Sequence, residues 1–232
     1  MGDDLTAGAL RERVAVLRAD NLSGATELAR RTAGLFADFL DWTAAWPLEP
    51  RQARLHELAL EVRLAQPAMA PLLNLCSRVL DAGAEATPEG WDAAVRRALA
   101  HFLEQLEAAN ARIARHALNL WKPGAGTRRV LVHSASSAVV AALRAAREAG
   151  ISPSVICTES RPQLEGRRLA ESLAAEGFEV ALMVDAGVAL AARQSDLCLV
   201  GADAVGLEGV VNKLGTHALA LAARAAGVPA GV

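Results

Sequence analysis

Between Val130 and Thr216, short apolar runs alternate with helical patterns, and the run ends carry polar clusters. The clusters are Ser134-Ala-Ser136-Ser137, Thr158-Glu159-Ser160-Arg161-Pro162, Gly201-Ala202-Asp203 and Asn212-Lys213-Leu214-Gly215-Thr216. The apolar runs at residues 129–133, 154–158, 179–184 and 197–200 are rich in Val, Leu or Ile, and helical stretches follow at 137–149, 163–176, 187–194 and 212–226. Strands and helices alternating at this length call for right-handed crossovers, hence a parallel sheet with helices on both faces. Gly150, Gly177 and Gly227 fall just after helices, where a left-handed cap residue belongs. The polar clusters then meet on one rim, at the carboxyl ends of the strands, where open parallel sheets take their ligands.

The preceding half reads as helix. From Ser23 as N-cap, Ala25, Leu28, Ala29, Leu35, Phe36 and Phe39 recur at helical spacing, with Glu27 in the first turn. Trp46-Pro47-Leu48-Glu49-Pro50 breaks that pattern. A second helix is predicted from Arg51 to Gln66 and a third from Met69 to Leu80, while Thr87-Pro88-Glu89 opens a long amphipathic run to about Leu120. The expected organisation is a helical domain over residues 1–121 and a Rossmann-like α/β domain over 127–232, divided at Trp121-Lys-Pro-Gly-Ala-Gly126.

Composition excludes several classes. The formal charge of -2, from 24 Lys+Arg against 26 Asp+Glu, provides no footprint for direct nucleic-acid binding and no polybasic membrane anchor. Although 53% of the residues are hydrophobic, Arg and Glu interrupt every run before it nears the ~20 residues that cross a bilayer. Met1-Gly-Asp-Asp lacks a basic signal region, so a cytoplasmic protein is expected. Cys76, Cys157 and Cys198 have unrelated spacings and read as reduced, packed thiols; neither a metal nor a cofactor is called for.

Each rim cluster has a functional and a structural reading. Ser134, Ser136 and Ser137 can hold a phosphate oxygen at a helix start, or cap the helix. Arg161 can pair with phosphate or carboxylate, or with its neighbour Glu159. Asp203 can move protons or hold sugar hydroxyls, or cap a turn and pair with Lys213. Asn212 and Lys213 are expected to open the last helix, where a lysine opposes the dipole unless an anionic ligand or a carboxylate partner sits there too. His133 and His217 are expected to be half-buried and satisfied, and His56, His101 and His116 to lie on surfaces.

Together, Val130-Leu-Val-His-Ser134, Thr158-Glu-Ser-Arg-Pro162 with Leu164-Glu-Gly-Arg-Arg-Leu169, Leu199-Val-Gly-Ala-Asp203 and Val211-Asn-Lys-Leu-Gly-Thr216 resemble one superfamily. It contains the alpha, beta and delta regulatory subunits of translation initiation factor 2B, methylthioribose-1-phosphate isomerase and ribose-1,5-bisphosphate isomerase. The resemblance covers residues 105–228, and more loosely Asn21-Leu-Ser-Gly-Ala25 and Gln66-Pro-Ala-Met-Ala70. It implies a helical domain on a Rossmann-like domain, a sugar phosphate or nucleotide in the cleft, and a homodimer.

It also implies departures. The isomerases resembled here use a cysteine just after the first-strand histidine and an aspartate in Gly-Ala-Asp. This chain has Asp203, but Ser134 at the cysteine position, and a hydroxyl cannot readily replace a thiol in proton transfer near neutral pH. Where the isomerases place two phosphate-binding arginines, this chain has Ser23 and Gln66. The family fold continues into a fifth strand and beyond, whereas Val228-Pro-Ala-Gly-Val232 ends the sequence, so the sheet is expected to be C-terminally short with an edge covered by a partner or by this tail.

The resulting expectation is a non-catalytic or regulatory member that binds a phosphorylated small molecule through Ser136, Ser137, Arg161, Asn212 and Lys213, with a possible homodimer. One alternative is an aldose-phosphate isomerase using Asp203. Another is a protein-interaction module linked to translation regulation.

Overall fold

The computed structural model describes residues 2–121 and 128–232, the side chains of residues 2–7 excepted. The expected division after Trp121 lies in residues 122–127, outside the described residues. The chain forms two compact units, one up to Glu107 and one from Ala108.

The first unit is built from α1 (Gly2–Ala19), α2 (Ala25–Trp42), α3 (Leu48–Ala65), α4 (Ala70–Glu85) and the start of α5 (Trp91–Ala117). Leu10, Val14 and Leu17 form the apolar stripe of α1, packing with Leu28, Phe36, Phe39, Leu58, Leu75 and Trp91 in one core. Helix α1 precedes the first helix expected from the sequence, and α2 starts differently from its sequence pattern. Gly24, not Ser23, is the N-cap residue, and no side chain bonds to the cap. Asp20 Oδ1 accepts instead from the backbone N–H groups of Leu22 (3.0 Å) and Ser23 (2.8 Å).

Helix α3 begins at Leu48 rather than Arg51, with Pro50 in its first turn, where a missing N–H costs no helical bond. Gln66, at one expected arginine position, donates from Nε2 to the carbonyls of Leu17 (2.7 Å) and Asp20 (2.9 Å) and so ties down the end of α1. Thr87 accepts from the Gly90 N–H across a single 3₁₀ turn, Pro88–Gly90, and α5 follows directly.

The second unit carries β1 (Arg129–His133), α6 (Ser137–Glu148), β2 (Ser154–Thr158), α7 (Glu165–Ala175), β3 (Val180–Met183), α8 (Val188–Arg193) and β4 (Leu197–Val200). A hairpin of β5 (Ala204–Gly206) and β6 (Gly209–Val211), α9 (Thr216–Ala226) and β7 (Ala230–Gly231) complete it. The main sheet is parallel with strand order β3-β2-β1-β4-β7. Side chains alternate across it. Val130, Val132, Val155, Cys157, Leu197 and Leu199 pack with residues of α6 and α7, whereas Leu131, Ile156, Cys198 and Val200 pack with α8 and α9.

The chain thus moves outward from β1 to β2 and β3, then returns to the other side of β1 for β4. The resulting switch point, between β1 and β4, opens the crevice in which open α/β sheets bind ligands. Of the two covers expected for the β4 edge, the tail is the one present: Ala230 and Gly231 pair with Cys198 and Leu199, and the Pro229 carbonyl accepts from Cys198 N–H at 2.9 Å. The tail itself lies on that edge.

Candidate functional site

The first polar residue after β1 is Ser134, which holds φ at +67°, a left-handed conformation uncommon for a residue with a side chain. Two residues on, Ser136 is the N-cap of α6 and accepts from Val139 N–H through its hydroxyl (3.4 Å), so the capping role is realised; Ser137 is the first helical residue. Gly201, just after β4, lies so close to this cap that a Cβ there would stand 2.5 Å from Ser136 Oγ. The β1 and β4 loops therefore meet across the switch point.

His133 is buried, with Nε2 2.8 Å from the Leu214 carbonyl and Nδ1 2.6 Å from Thr158 Oγ1. Because a carbonyl only accepts, Nε2 carries the proton, and in the neutral ring Nδ1 accepts from the threonine. It is a satisfied core histidine. Gly215 makes room for it, with φ at +106° and a would-be Cβ only 2.7 Å from Nε2. His217 is exposed rather than half-buried, and His56, His101 and His116 are exposed as expected.

The β2 loop is fixed from outside its own segment. Asp185, which follows β3, accepts from Ser160 N–H at 2.8 Å and from Arg161 N–H at 2.7 Å, and Ser160 Oγ accepts from Ser134 N–H at 2.8 Å. Arg161 itself projects outward: its side chain is 65% exposed, and Nη1 lies 3.9 Å from Glu159 Oε1. Glu159 is held more closely by Arg167, at 2.6 Å.

Asn212 and Lys213 do not open the last helix. The β5–β6 hairpin and the left-handed Gly215 delay α9 to Thr216, so the dipole argument for Lys213 does not apply. Asn212 Nδ2 donates to Thr216 Oγ1 at 2.9 Å, and that hydroxyl donates to the Lys213 carbonyl at 2.7 Å. Lys213 Nζ contacts Glu165 Oε1 at 2.5 Å, and Ser134 Oγ donates to the same oxygen at 3.2 Å. A carboxylate partner, one of the two readings of this lysine, is present. Sequence reasoning gave Glu165 no role.

Asp203 is half-buried, and no side chain among the described residues hydrogen-bonds its carboxylate. Burial raises its pKa, and the charge of Glu165 pushes the same way against the pull of Lys213. Its backbone N–H donates to the Val211 carbonyl at 2.8 Å, pinning the hairpin base. The thiols lie elsewhere: Cys76, Cys157 and Cys198 are buried, and burial pushes them up to about 12, about 12 and about 11. Among the described residues, no His/Cys/Asp/Glu group is arranged to hold a metal, and no helix is long and apolar enough to cross a membrane.

Comparison with known proteins gives this rim a context. The model of the initiation factor 2 subunit family matches residues 21–232. A ribose 1,5-bisphosphate isomerase of Archaeoglobus fulgidus is 31% identical over 214 residues, 92% of this chain and 66% of its own length. An eIF-2B subunit 2-like protein of Pyrococcus horikoshii is 33% identical over 92% of this chain and 73% of its own. A methylthioribose-1-phosphate isomerase of Desulforudis audaxviator is 39% identical, but this chain spans only 54% of it. The crystal structure of Pyrococcus horikoshii translation initiation factor eIF-2B superposes with a TM-score of 0.83 at 30% identity, over 96% of this chain and 76% of that one. The chain therefore belongs to the initiation factor 2 subunit family.

Proposed function

We propose that this chain binds a phosphorylated sugar or nucleotide at the β1/β4 switch point, as a member of its family that does not use the thiol chemistry of the isomerases. The observation that carries this reading is the convergence of the α6 N-terminus, Asp203 and Lys213 around Ser134, a hydroxyl at the expected thiol position. Helix N–H groups and two cations, Arg161 and Lys213, suit phosphate. Titration calorimetry with ribose 1,5-bisphosphate, methylthioribose 1-phosphate and AMP tests it. Binding of at least one, weakened about tenfold by Arg161→Ala, is the expected result; no heat at millimolar ligand contradicts the proposal.

One observation favours a second reading, aldose-ketose isomerisation. Asp203 is a carboxylate with a raised pKa, without a hydrogen-bonding side chain and within reach of the Lys213 charge, the surroundings expected of a proton donor. NMR detection of ketose formed from either aldose phosphate, abolished by Asp203→Asn, would establish it. Self-association fits the exposed apolar side chains Val205, Leu207 and Val210 of the β5–β6 hairpin.

A further inference from the structure

Glu165 is the first residue of α7, and its side chain is only 6% exposed. Oxygen Oε1 is fully engaged, by Lys213 Nζ at 2.5 Å and Ser134 Oγ at 3.2 Å. Oxygen Oε2 is buried and has no hydrogen-bond partner among the described residues. A buried acceptor left in this state is costly, and the cost rises when the group is charged.

The donors on Oε1 are two of those that a phosphate at this rim would use. A phosphate dianion drawn to Lys213 and Ser134 would therefore lie against Glu165. Two anions desolvated side by side repel, whereas a proton on one turns the contact into a strong O–H···O⁻ bond. Oε2, buried and unpartnered among the described residues, is the oxygen that takes that proton without giving up a donor. We infer that Glu165 receives a phosphorylated ligand as the neutral acid, its Oε2–H donating to a phosphate oxygen, so that the ligand and one proton enter this site together.

The proton balance is simple. Above the second phosphate pKa of about 6 the ligand is a dianion, and the proton that Glu165 carries in the complex comes from solvent. No bond to phosphorus forms or breaks. The inference rests on the phosphate-binding reading above and adds to it the protonation state and the residue that sets it.

The other titratable groups of this rim are accounted for. Lys213 faces Oε1 at 2.5 Å. Asp203 is the one competitor for the proton, since its carboxyl already holds protons more tightly than usual. His133 is bonded at both nitrogens, Glu159 faces Arg167 and Arg161, and Asp185 accepts two backbone N–H groups.

The test is calorimetry at pH 8 with ribose 1,5-bisphosphate in two buffers of different ionisation enthalpy, on the full chain, Glu165→Gln and Asp203→Asn, with folding checked by circular dichroism. The wild type is expected to take up about one proton per ligand and to lose affinity about tenfold per pH unit above neutrality. Glu165→Gln, a neutral donor of the same shape, is expected to take up none and to bind more tightly at pH 8, while Asp203→Asn keeps the uptake. Uptake near zero in the wild type overturns the inference without any variant. Uptake kept in Glu165→Gln, or lost in Asp203→Asn, also overturns it and leaves ligand binding standing. Absence of binding in both wild type and Glu165→Gln defeats the binding reading itself.

Discussion

Lys213 shows how a single residue's environment redirects a functional reading. Its ammonium lies against buried Glu165, while Arg161 is largely free in solvent beside Glu159. The two cations are therefore not equivalent: Arg161 can turn to a ligand at little cost, whereas Lys213 must leave a partner. Glu165 escaped notice because it stands in Leu164-Glu-Gly-Arg as an ordinary first-turn acid, and its partners are 31 and 48 positions away along the chain. Asp185 was legible in principle, being the first acid after a strand end, the same logic that singled out Asp203. The raised pKa of Asp203 also predicts a stability signature. A folded-state carboxyl with raised pKa contributes stability below its unfolded value, and this is lost as pH rises through the folded value. Asp203→Asn is expected to melt above wild type at pH 7 to 8, with the gap closing below about pH 4, in thermal melts across that range. An equal or lower melting temperature at pH 8 contradicts this placement.

At the level of elements, the strands at 129–133, 154–158 and 197–200 lie where the apolar runs place them, since each is buried almost throughout and ends in a polar cluster. The hairpin at 204–211 was not legible. Its apolar residues are exposed, so they have no alternating pattern of burial, and the stretch is short and rich in glycine. Helix α1 was hidden by its many alanines and arginines, with only Leu10, Val14 and Leu17 marking the buried stripe. The start of α7 depends on close backbone approach. A Cβ at Gly166 would lie 1.8 Å from the Thr158 carbonyl and 2.8 Å from Ser160 Oγ. Gly166→Ala is expected to cost about 3 kcal/mol in denaturant unfolding, at the upper end of overpacking effects. Gly8→Ala, in α1 with nothing within 4 Å, is the control and is expected to stabilise by about 0.5–1 kcal/mol. Equal effects at the two positions would mean that α7 does not sit this close to β2.

At the scale of the whole molecule, the strand order brings the functional candidates together. Ser134 follows β1 and Asp203 follows β4, neighbours across the switch point though far apart in sequence. Periodicity marks the buried strands and the helices between them; it does not decide the strand order in the sheet. The five-stranded parallel sheet agrees with the fold of the initiation factor 2 subunit family, while the ligand is a matter for this rim's own chemistry. Amide chemical-shift mapping of the full chain titrated with ribose 1,5-bisphosphate examines that chemistry most directly. The largest shifts are expected at Ser134 to Ser137, Arg161, Glu165, Asp203 and Lys213, saturating with the calorimetric affinity. Shifts confined to other surfaces, or none at millimolar ligand, would mean that the β1/β4 rim is not a phosphate site.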